Sequence, residues 1–346
     1  MYIIKMKGIY FKFMSFIASL LALTVAFFST VILGAAILPT LKKLKIGQTT
    51  KEIGPTWHHS KNGTPTMGGL FLIAGVVFGI VAACIALKSR ENMLDFELLD
   101  SVTLWAGLLC AIGFGLTGFM DDYIKVVHKN NNGLSPMQKT SFQIIVTLAY
   151  FLTLSLNGCL STLVDIPFFG QVDFGNFYYI ISILGIYGMA NAVNLTDGID
   201  GLASSVTAIY ALTFSIISCF LLRQSMNILA SALCGGCLGF LVFNFHPAKV
   251  FMGDTGSMFL GGMVAALGFG VGQPALIILV GIIYIIEPIS VILQVISFKL
   301  TKKRIFKMSP IHHHFEMIGW SEVKIVLVFC AVTAIFSCVA LASFLK

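Results

Sequence analysis

Five aspartates in three short polar segments are the residues of this chain best suited to chemistry. They lie near Gly, Asn or Thr at the ends of apolar runs, and they are Asp121, Asp122, Asp197, Asp200 and Asp254. Adjacent carboxylates at the end of an apolar helix repel each other, and a divalent cation or a cationic neighbour relieves that repulsion. Asp254, with glycines at 253 and 256, is sterically open and suits an oxygen ligand of Mg²⁺. Because Mg²⁺ is commonly held by one or two carboxylates together with substrate phosphates, the pattern predicts chemistry on phosphates.

Residue spacing adds further candidates around these aspartates. In a helix, Lys125 lies on the same face as Asp121, four residues earlier, and Asp197 shares a side with Asp200. The segment 194–201 holds no Lys or Arg, and its glycines let the backbone approach a ligand closely. For each segment the simpler alternative is a solvated or capped helix end that binds no ligand.

Two further segments carry basic or polar side chains. Lys61 and Thr66 precede an apolar run, where a helix N-terminus with free N–H groups suits an anionic ligand. His312, His313 and His314 follow a basic stretch. Adjacent histidines in an extended chain cannot easily share one zinc ion, so phosphate or diphosphate contacts are the better prediction for them. A positive-inside anchor is the competing interpretation of the basic stretch.

The composition indicates that membrane helices must position these segments. Of 346 residues, 57% are apolar and 11% are charged, and the mean hydropathy is +0.93. A soluble domain carries about 25% charged residues, which disfavours a soluble enzyme, a disordered chain and a secreted disulfide scaffold. The eight cysteines lie mostly in apolar runs, where they act as small hydrophobes. The net charge of +7 lacks the aromatic interleaving of a nucleic-acid-binding surface, so we expect no nucleic-acid partner.

Ten apolar stretches are long enough to cross a bilayer as helices, and they are continuous rather than alternating as barrel strands would be. The predicted spans are 15–39, 66–87, 101–119, 141–158, 177–193, 203–222, 228–245, 256–272, 275–298 and 323–345. The first is predicted to be a retained helix, because it is too long for a signal peptide. The sequence therefore predicts an all-α polytopic membrane protein in which residues 1–346 form one catalytic domain. Its active site is predicted in the loops 40–65, 120–140, 191–202, 244–256 and 299–322.

Lysine and arginine set the predicted orientation. The loops that follow odd-numbered spans carry 15 of the 22 Lys and Arg residues, so they are predicted to be cytoplasmic, with both termini outside. Glu287 is the only acidic residue well inside a predicted span, and Gln294 lies seven residues later on the same helix face. Because proline removes a backbone hydrogen bond, we predict a kink near Pro288, with the following half of the helix leaning over the cytoplasmic loops.

Two functions agree with these features. The first is a membrane enzyme that acts on phosphates at the cytoplasmic face. A lipid partner would explain why the active site is built on ten membrane helices. The second is an ion-coupled transporter with a cytoplasmic gate. Transporters place paired ionisable groups near the membrane midplane and contain inverted repeats. Neither paired midplane charges nor obvious inverted repeats are evident in this sequence, so the enzyme is favoured.

Five ordered motifs carry a resemblance to a known family. They are GTPTMGG at 63–69, DDYIK at 121–125, NLTDGIDG at 194–201, FMGDTG at 251–256 and PIHHHF at 310–315. Over essentially its whole length the chain resembles the bacterial phospho-N-acetylmuramoyl-pentapeptide transferases of the polyprenyl-phosphate N-acetylhexosamine-1-phosphate transferase superfamily. The triple histidine favours this branch over the GlcNAc-1-phosphate branch, which is the alternative.

The resemblance implies a reaction, a cofactor and partners. Phospho-MurNAc-pentapeptide would pass from UDP-MurNAc-pentapeptide to undecaprenyl phosphate, giving lipid I and UMP, with Mg²⁺ required. This is the first membrane step of peptidoglycan synthesis, and it implies a multi-pass protein of the bacterial inner membrane with a cytoplasmic active site. Direct attack is favoured over a covalent aspartyl-phosphate, because the lipid phosphate is already an anionic nucleophile. An apolar outer helix face could serve a homodimer or lipid.

The resemblance also implies roles for individual residues. Asp254 resembles the Mg²⁺ ligand, Asp121 the base or positioning group for the lipid phosphate, and Asp122 its support. The three histidines are expected at the diphosphate or the sugar-peptide, with His313 in the catalytic set. The expected substrate-binding residues are Lys61, Thr66, Lys125, Asn194, Asp197, Gly198, Ile199, Asp200, Phe251, Gln294, His312 and His314. The stretch 54–60 departs from the family pattern, which leaves a role for its two histidines open.

Overall fold

Helices dominate the structure, as continuous apolar runs require. The computed structural model describes residues 2–43, 63–88, 101–128 and 132–344. In chain order the elements are α1 (Tyr2–Lys43), α2 (Gly69–Lys88), α3 (Val102–His128), α4 (Pro136–Leu156), β1 (Leu163–Ile166), β2 (Gly170–Asp173), α5 (Phe177–Thr196), α6 (Leu202–Phe220), α7 (Gln224–Asn244), α8 (Gly253–Val271), α9 (Ala275–Val280), α10 (Ile282–Thr301), α11 (Ile311–Met317) and α12 (Glu322–Ala342). The two strands form one antiparallel hairpin between α4 and α5.

Ten helices within the described ranges are long and apolar enough to cross a membrane. They are α1 to α8, α10 and α12, and they correspond one for one to the predicted spans. A helix satisfies its backbone N–H and C=O groups internally, which a segment surrounded by lipid requires. The predicted all-α polytopic fold is confirmed, and the chain is an integral membrane protein.

Several helix ends differ from the predicted bounds, among them the start of α1 at Tyr2, the end of α3 and the start of α4. Helix α3 continues past residue 119 to His128, so Asp121 and Asp122 lie within the helix. Helix α4 begins at Pro136 rather than 141, because Ser135 and Gln138 form a capping box. In this box the Ser135 hydroxyl accepts the Gln138 N–H at 3.3 Å, and the Gln138 side chain accepts the Ser135 N–H at 3.0 Å.

The predicted span 275–298 is divided at Gly281, between α9 and α10, whereas the kink predicted near Pro288 stays a prediction. Helix α10 runs through Pro288 without a break in its helical residues. Beside the proline, the Ser290 hydroxyl donates to the Glu287 carbonyl at 2.6 Å. Gly281 ends α9 by donating its N–H to the Ile277 carbonyl at 2.9 Å.

Helix α8 lies at the centre of the bundle and brings the polar segments together. Of its spanning window, 94% is buried inside the protein. A β-carbon at Gly118 of α3 would overlap the backbone of Asp254, and one at Gly69 of α2 would overlap the backbone of Gly256. Glycine at these two positions therefore permits α2 and α3 to approach the first turn of α8 closely.

Candidate active site

Three carboxylates from two helices meet at one end of the bundle. Asp121 and Asp122 lie in the last turns of α3, and Asp254 lies in the first turn of α8. One oxygen from each carboxylate lies within 4.8 Å of the others. Asp121 and Asp122 are buried, whereas 23% of the Asp254 side chain is exposed. Closely spaced oxygen donors suit a hard divalent cation, so this cluster could hold a metal ion.

Asp122 uses its carboxylate to cap α8. It accepts the backbone N–H groups of Asp254 at 3.2 Å and of Thr255 at 2.9 Å. It also accepts the Thr255 hydroxyl at 2.7 Å. A carboxylate at a helix N-terminus satisfies free N–H groups and complements the helix dipole. Asp122 thus fixes the start of α8, and with it Asp254, relative to α3.

Lys125 joins the other two carboxylates. It forms an ion pair with Asp121, one turn earlier on α3, at the spacing that places the two side chains on one face. Its Nζ also lies 3.3 Å from Asp254 Oδ2. Asp121 Oδ1 accepts the backbone N–H of Leu134 at 2.7 Å. The segment after α3 therefore folds back over the carboxylates and holds Asp121 in place.

Lys139 was not among the predicted site residues, yet its Nζ lies 2.7 Å from Asp254 Oδ2. It belongs to the first turn of α4, which the capping box starts at Pro136. A cation is unfavourable at a helix N-terminus because of the helix dipole. The sequence does not show which partner compensates for this placement, and only the long-range contact with Asp254 identifies Lys139 as a site residue.

The segment after α5 contributes an amide and a carboxyl group. Asn194 donates to Asp254 Oδ1 at 3.1 Å and to the Ser257 hydroxyl at 2.7 Å. Asp197 follows the last residue of α5 and is half-buried. Burial, together with the nearby carboxylates of Asp254 and Asp122, raises the pKa of Asp197 to about 8. Its protonated form is therefore favoured at neutral pH, and a cation or hydrogen-bond donor beside it would favour the carboxylate.

Asp200 belongs to a second cluster rather than to the carboxylates at Asp254. Its Oδ2 accepts the Ala248 N–H at 2.9 Å and lies 3.1 Å from His246 Nδ1. Its backbone N–H donates to Glu322 Oε2 at 3.0 Å, at the start of α12. These contacts tie three predicted active-site loops together. His246 and Glu322 were not predicted in this role, and only their long-range contacts identify them.

The segment before α2 pairs with the segment before α8. The N–H of Gly68 donates to the Phe251 carbonyl at 2.9 Å, and the N–H of Phe251 donates to the Pro65 carbonyl at 2.8 Å. Thr66 is buried, and its hydroxyl has no hydrogen-bond partner among the described residues. A β-carbon at Gly253 would lie close to this hydroxyl. Thr66 and Phe251 thus lie beside the first turn of α8, whereas Lys61 lies outside the described residues.

His312 lies beneath the segment 194–201, with no exposed surface. Its Nδ1 lies 2.9 Å from Glu287 Oε2 of α10. Its ring leaves no room for a β-carbon at Gly198. Ile199 is likewise buried. His312, predicted to bind substrate, contacts the segment itself in this structure.

The other two histidines have separate partners. His313 Nδ1 lies 2.6 Å from Glu316 Oε2, and 15% of the His313 side chain is exposed. His314 Nδ1 accepts the backbone N–H of Lys307 at 3.1 Å. The three consecutive histidines therefore do not form a common cluster through their Nδ1 atoms.

Gln294 holds the basic loop in place. Its Oε1 accepts the N–H groups of Ile305 at 3.0 Å and Phe306 at 2.9 Å, and its Nε2 donates to the Phe306 carbonyl at 2.9 Å. Both ends of the side-chain amide are engaged by the backbone of the loop after α10. The same helix carries Glu287, which contacts His312 of α11, so α10 also holds the helix that follows this loop.

Comparison with known proteins shows the family. A glycosyl transferase family 4 profile matches residues 104–271, and signature 1 of the phospho-N-acetylmuramoyl-pentapeptide-transferases matches residues 61–73. A Halalkalibacterium halodurans protein named phospho-N-acetylmuramoyl-pentapeptide-transferase is 46% identical over 323 residues, which are 93% of this chain and 96% of that protein. This chain belongs to the phospho-N-acetylmuramoyl-pentapeptide-transferase family. Relatives of the same name from Clostridium perfringens and Staphylococcus aureus are 46% and 44% identical, over 93% and 95% of this chain and 98% of each relative.

The two matched regions correspond to neighbouring parts of the structure. The 104–271 match contains Asp121, Asp122, Lys139 and Asp254. The signature contains Thr66, Gly68 and Gly69, and the two glycines donate to the carbonyls of Phe251 and Met252 directly before α8. The chain is therefore an integral membrane protein of a transferase family, and its matched segments meet around the carboxylate cluster.

Proposed function

We propose that this chain transfers phospho-MurNAc-pentapeptide from UDP-MurNAc-pentapeptide to undecaprenyl phosphate, forming lipid I and releasing UMP. The observation that supports this proposal is the cluster of Asp121, Asp122, Asp254, Lys125 and Lys139 at one end of a membrane bundle. Phosphoryl transfer depends mainly on positioning and on neutralising phosphate charge, which such a cluster can do. The transferred group is the one in the name of the relatives.

Asp254 is the proposed ligand of Mg²⁺, with an oxygen of Asp121 close by. The donors are all oxygens, as Mg²⁺ prefers, and a small donor set leaves positions for phosphates and water. Asp122 already accepts three hydrogen bonds from the start of α8, so its proposed role is support. When bound, the ion would neutralise phosphate charge and orient the reacting phosphates.

The residues of this chain would orient and neutralise the reacting groups. An oxygen of the lipid phosphate attacks the sugar-linked phosphorus, and the bond from that phosphorus to the UMP oxygen breaks. Asp121, held by the Leu134 N–H and by Lys125, is positioned to receive a proton from the lipid phosphate or to orient it. Lys125 and Lys139 supply positive charge for the phosphates. Asn194 holds the second oxygen of Asp254.

The site is proposed to face the cytoplasm from the bacterial inner membrane. Segments after the first, third, fifth, seventh and ninth spans meet around it, so they share one side of the bundle. These loops contain most of the Lys and Arg residues, which favours the cytoplasmic side. A homodimer through an apolar outer helix face stays a prediction.

A cavity of about 820 Å³ between α5, α9, α10 and the hairpin offers room for a lipid chain. It extends from Ala192, two residues before Asn194, to Phe168 in the hairpin turn, and Pro288 and Tyr178 line it between these ends. The lining is almost entirely apolar, so transfer of a polyprenyl chain into it loses no hydrogen bonds. We assign this cavity to part of the chain of undecaprenyl phosphate.

Gly188→Phe is expected to raise the KM for undecaprenyl phosphate about tenfold, because the ring removes contacts with roughly two methylene-sized groups. Gly188 lines the cavity, and a β-carbon there meets no atom within 4 Å, so the helix tolerates the substitution. The KM for UDP-MurNAc-pentapeptide should stay unchanged. Leu212→Phe, on the exposed face of α6 and outside the cavity lining, is the control. Equal rises in both KM values would contradict the assignment.

UMP release by the purified chain tests the proposed function most directly. UDP-MurNAc-pentapeptide is supplied with and without undecaprenyl phosphate, and with and without Mg²⁺. Release that needs both additions is expected. Lipid-independent release would reject the proposed transfer, and a preference for UDP-GlcNAc would favour the related GlcNAc-1-phosphate transferase.

A further inference from the structure

Side chains of α4, α5 and α8 are in contact at two levels near Asp254. One level is at its carboxylate, and the other lies deeper in the membrane. At the carboxylate, Lys139 of α4 and Asn194 of α5 both contact Asp254 of α8. Deeper in the bundle, Gln143 of α4 and Asn191 of α5 form a reciprocal pair of amide hydrogen bonds, each 3.1 Å long. Gln143 Nε2 also lies 3.7 Å from the sulfur of Met258 on α8. We call these three side chains, Gln143, Asn191 and Met258, the amide junction.

The spacing of the two layers matches one helical turn on each helix. Gln143 lies four residues after Lys139, Asn191 lies three before Asn194, and Met258 lies four after Asp254. Residues three or four apart share one helix face and are separated by about 4.5–6 Å along the helix axis. The amide junction therefore lies directly beneath the contacts at Asp254, and it involves the same three helix faces.

The amide junction is strongly constrained. Gln143 is only 1% exposed, so its amide groups have no access to water. An unpaired amide in this environment is costly, which favours the single arrangement in which the two amides satisfy each other. Asn191 Nδ2 also donates to the Tyr187 carbonyl at 2.9 Å, which fixes its rotamer relative to α5. The amide junction thus fixes the position of α4 along the helix axis, and its rotation about that axis, relative to α5.

We propose that Gln143 and Asn191 are positioning residues for the transfer reaction. By fixing α4 against α5, they set the separation of Lys139 and Asn194, which contact different oxygens of Asp254. A shift of the two helices would move the Lys139 ammonium and the Asn194 amide in different directions. The part of this inference that concerns turnover rests on the proposed function, and the part that concerns cation binding at Asp254 does not.

The first test replaces Gln143 with methionine in the full chain. Gln143→Met keeps the length and the packing against Met258 but removes both amide bonds, and Asn191 retains its bond to Tyr187. We expect kcat to fall about 30-fold, because misplacing reacting groups by about 1 Å costs up to a hundredfold. The Kd for Mn²⁺, measured without substrate by electron paramagnetic resonance, should rise about tenfold, as for other supports of metal ligands.

The second test exchanges the two amides. Gln143→Asn alone and Asn191→Gln alone change the reach of one side chain and should each weaken turnover and Mn²⁺ binding. The double variant restores the combined length of the pair and should recover both values to within about threefold, as coupled residues do. Thr333→Val, which removes a buried hydroxyl from α12, is the control for loss of a polar contact within the bundle.

The two tests distinguish a positioning role of Gln143 and Asn191 in the site from a role in the stability of the fold alone. A purely structural pair would lower the melting temperature while leaving kcat and the Kd for Mn²⁺ within about twofold of the parent, and that result would overturn the proposal. A double variant no better than the singles would overturn it as well. If the parent chain binds Mn²⁺ but releases no UMP, the proposed function fails, and the Mn²⁺ affinities still decide whether the amide junction positions Asp254.

Discussion

Asp254→Asn is expected to lower kcat about a thousandfold while leaving the helices folded. Asp254 is the carboxylate that both lysines contact, through Oδ2, and its other oxygen accepts from Asn194. The substitution keeps the size of the side chain but removes its charge, so the lysines lose their shared partner. A neutral amide oxygen is also a weaker ligand for Mg²⁺ than a carboxylate. The residual UMP release should therefore depend only weakly on added Mg²⁺.

The matched control is Asp165→Asn. Asp165 is exposed in the hairpin between α4 and α5, at the other end of the bundle from the carboxylate cluster. It should leave kcat and the Mg²⁺ requirement unchanged. Near-normal turnover by Asp254→Asn, with the usual Mg²⁺ dependence, would show that Asp254 is not the ligand. A melting temperature close to that of the parent would show that the variant is folded.

The number and order of the membrane helices could be predicted because each span is a continuous apolar run. The ends of two helices could not be predicted from hydropathy alone. At the end of α3, Asp121 and Lys125 neutralise each other within the helix, whereas a hydropathy pattern treats both as loop residues. At the start of α4, a capping box outweighs the polar character of the first turn. Side-chain contacts between residues close in sequence therefore determine where α3 ends and where α4 begins.

In the candidate site, likewise, contacts within one helix could be predicted from the sequence, whereas contacts between distant segments could not. The pairing of Asp121 with Lys125 follows from their spacing, because both lie on one helix. The capping of α8 by Asp122 and the contact of His246 with Asp200 join segments far apart in sequence. Residue types and spacing carry no information about which distant segment approaches. The first contact required the packing of α3 against α8, and the second required the approach of the segments that follow α5 and α7.

Gln294 was expected to bind substrate, and in the structure it holds a loop in place. The motif resemblance implies that Gln294 binds substrate, whereas in the structure its amide oxygen accepts the backbone N–H groups of Ile305 and Phe306. Both roles are compatible if Gln294 acts by holding the basic loop. The whole residue is only 9% exposed, so contact of its amide with a ligand would require part of this loop to move.

Lys139→Met is expected to lower kcat/KM about a hundredfold, although Lys139 was absent from the residues predicted from sequence. Its ammonium makes the shorter of the two lysine contacts with Asp254, at 2.7 Å compared with 3.3 Å for Lys125. Methionine keeps the length of the apolar stem and the start of α4 but removes the charge. Lys139→Arg should recover only part of the activity, because the planar guanidinium cannot reproduce the ammonium position. UMP release at several substrate concentrations measures the effect.

Lys249→Met is the control, because Lys249 is exposed in the loop between α7 and α8 on the same side of the bundle. If Lys249→Met and Lys139→Met lose activity equally, the loss reflects the total positive charge on this side of the bundle and not the contact of Lys139 with Asp254.

The double variant Asp254→Asn with Lys139→Met then identifies what Lys139 acts on. If Lys139 acts through Asp254, the double variant should be no slower than Asp254→Asn alone, since residues that work as a unit are not additive. An additional large loss would instead mean that Lys139 contacts the phosphates of the substrate independently of Asp254.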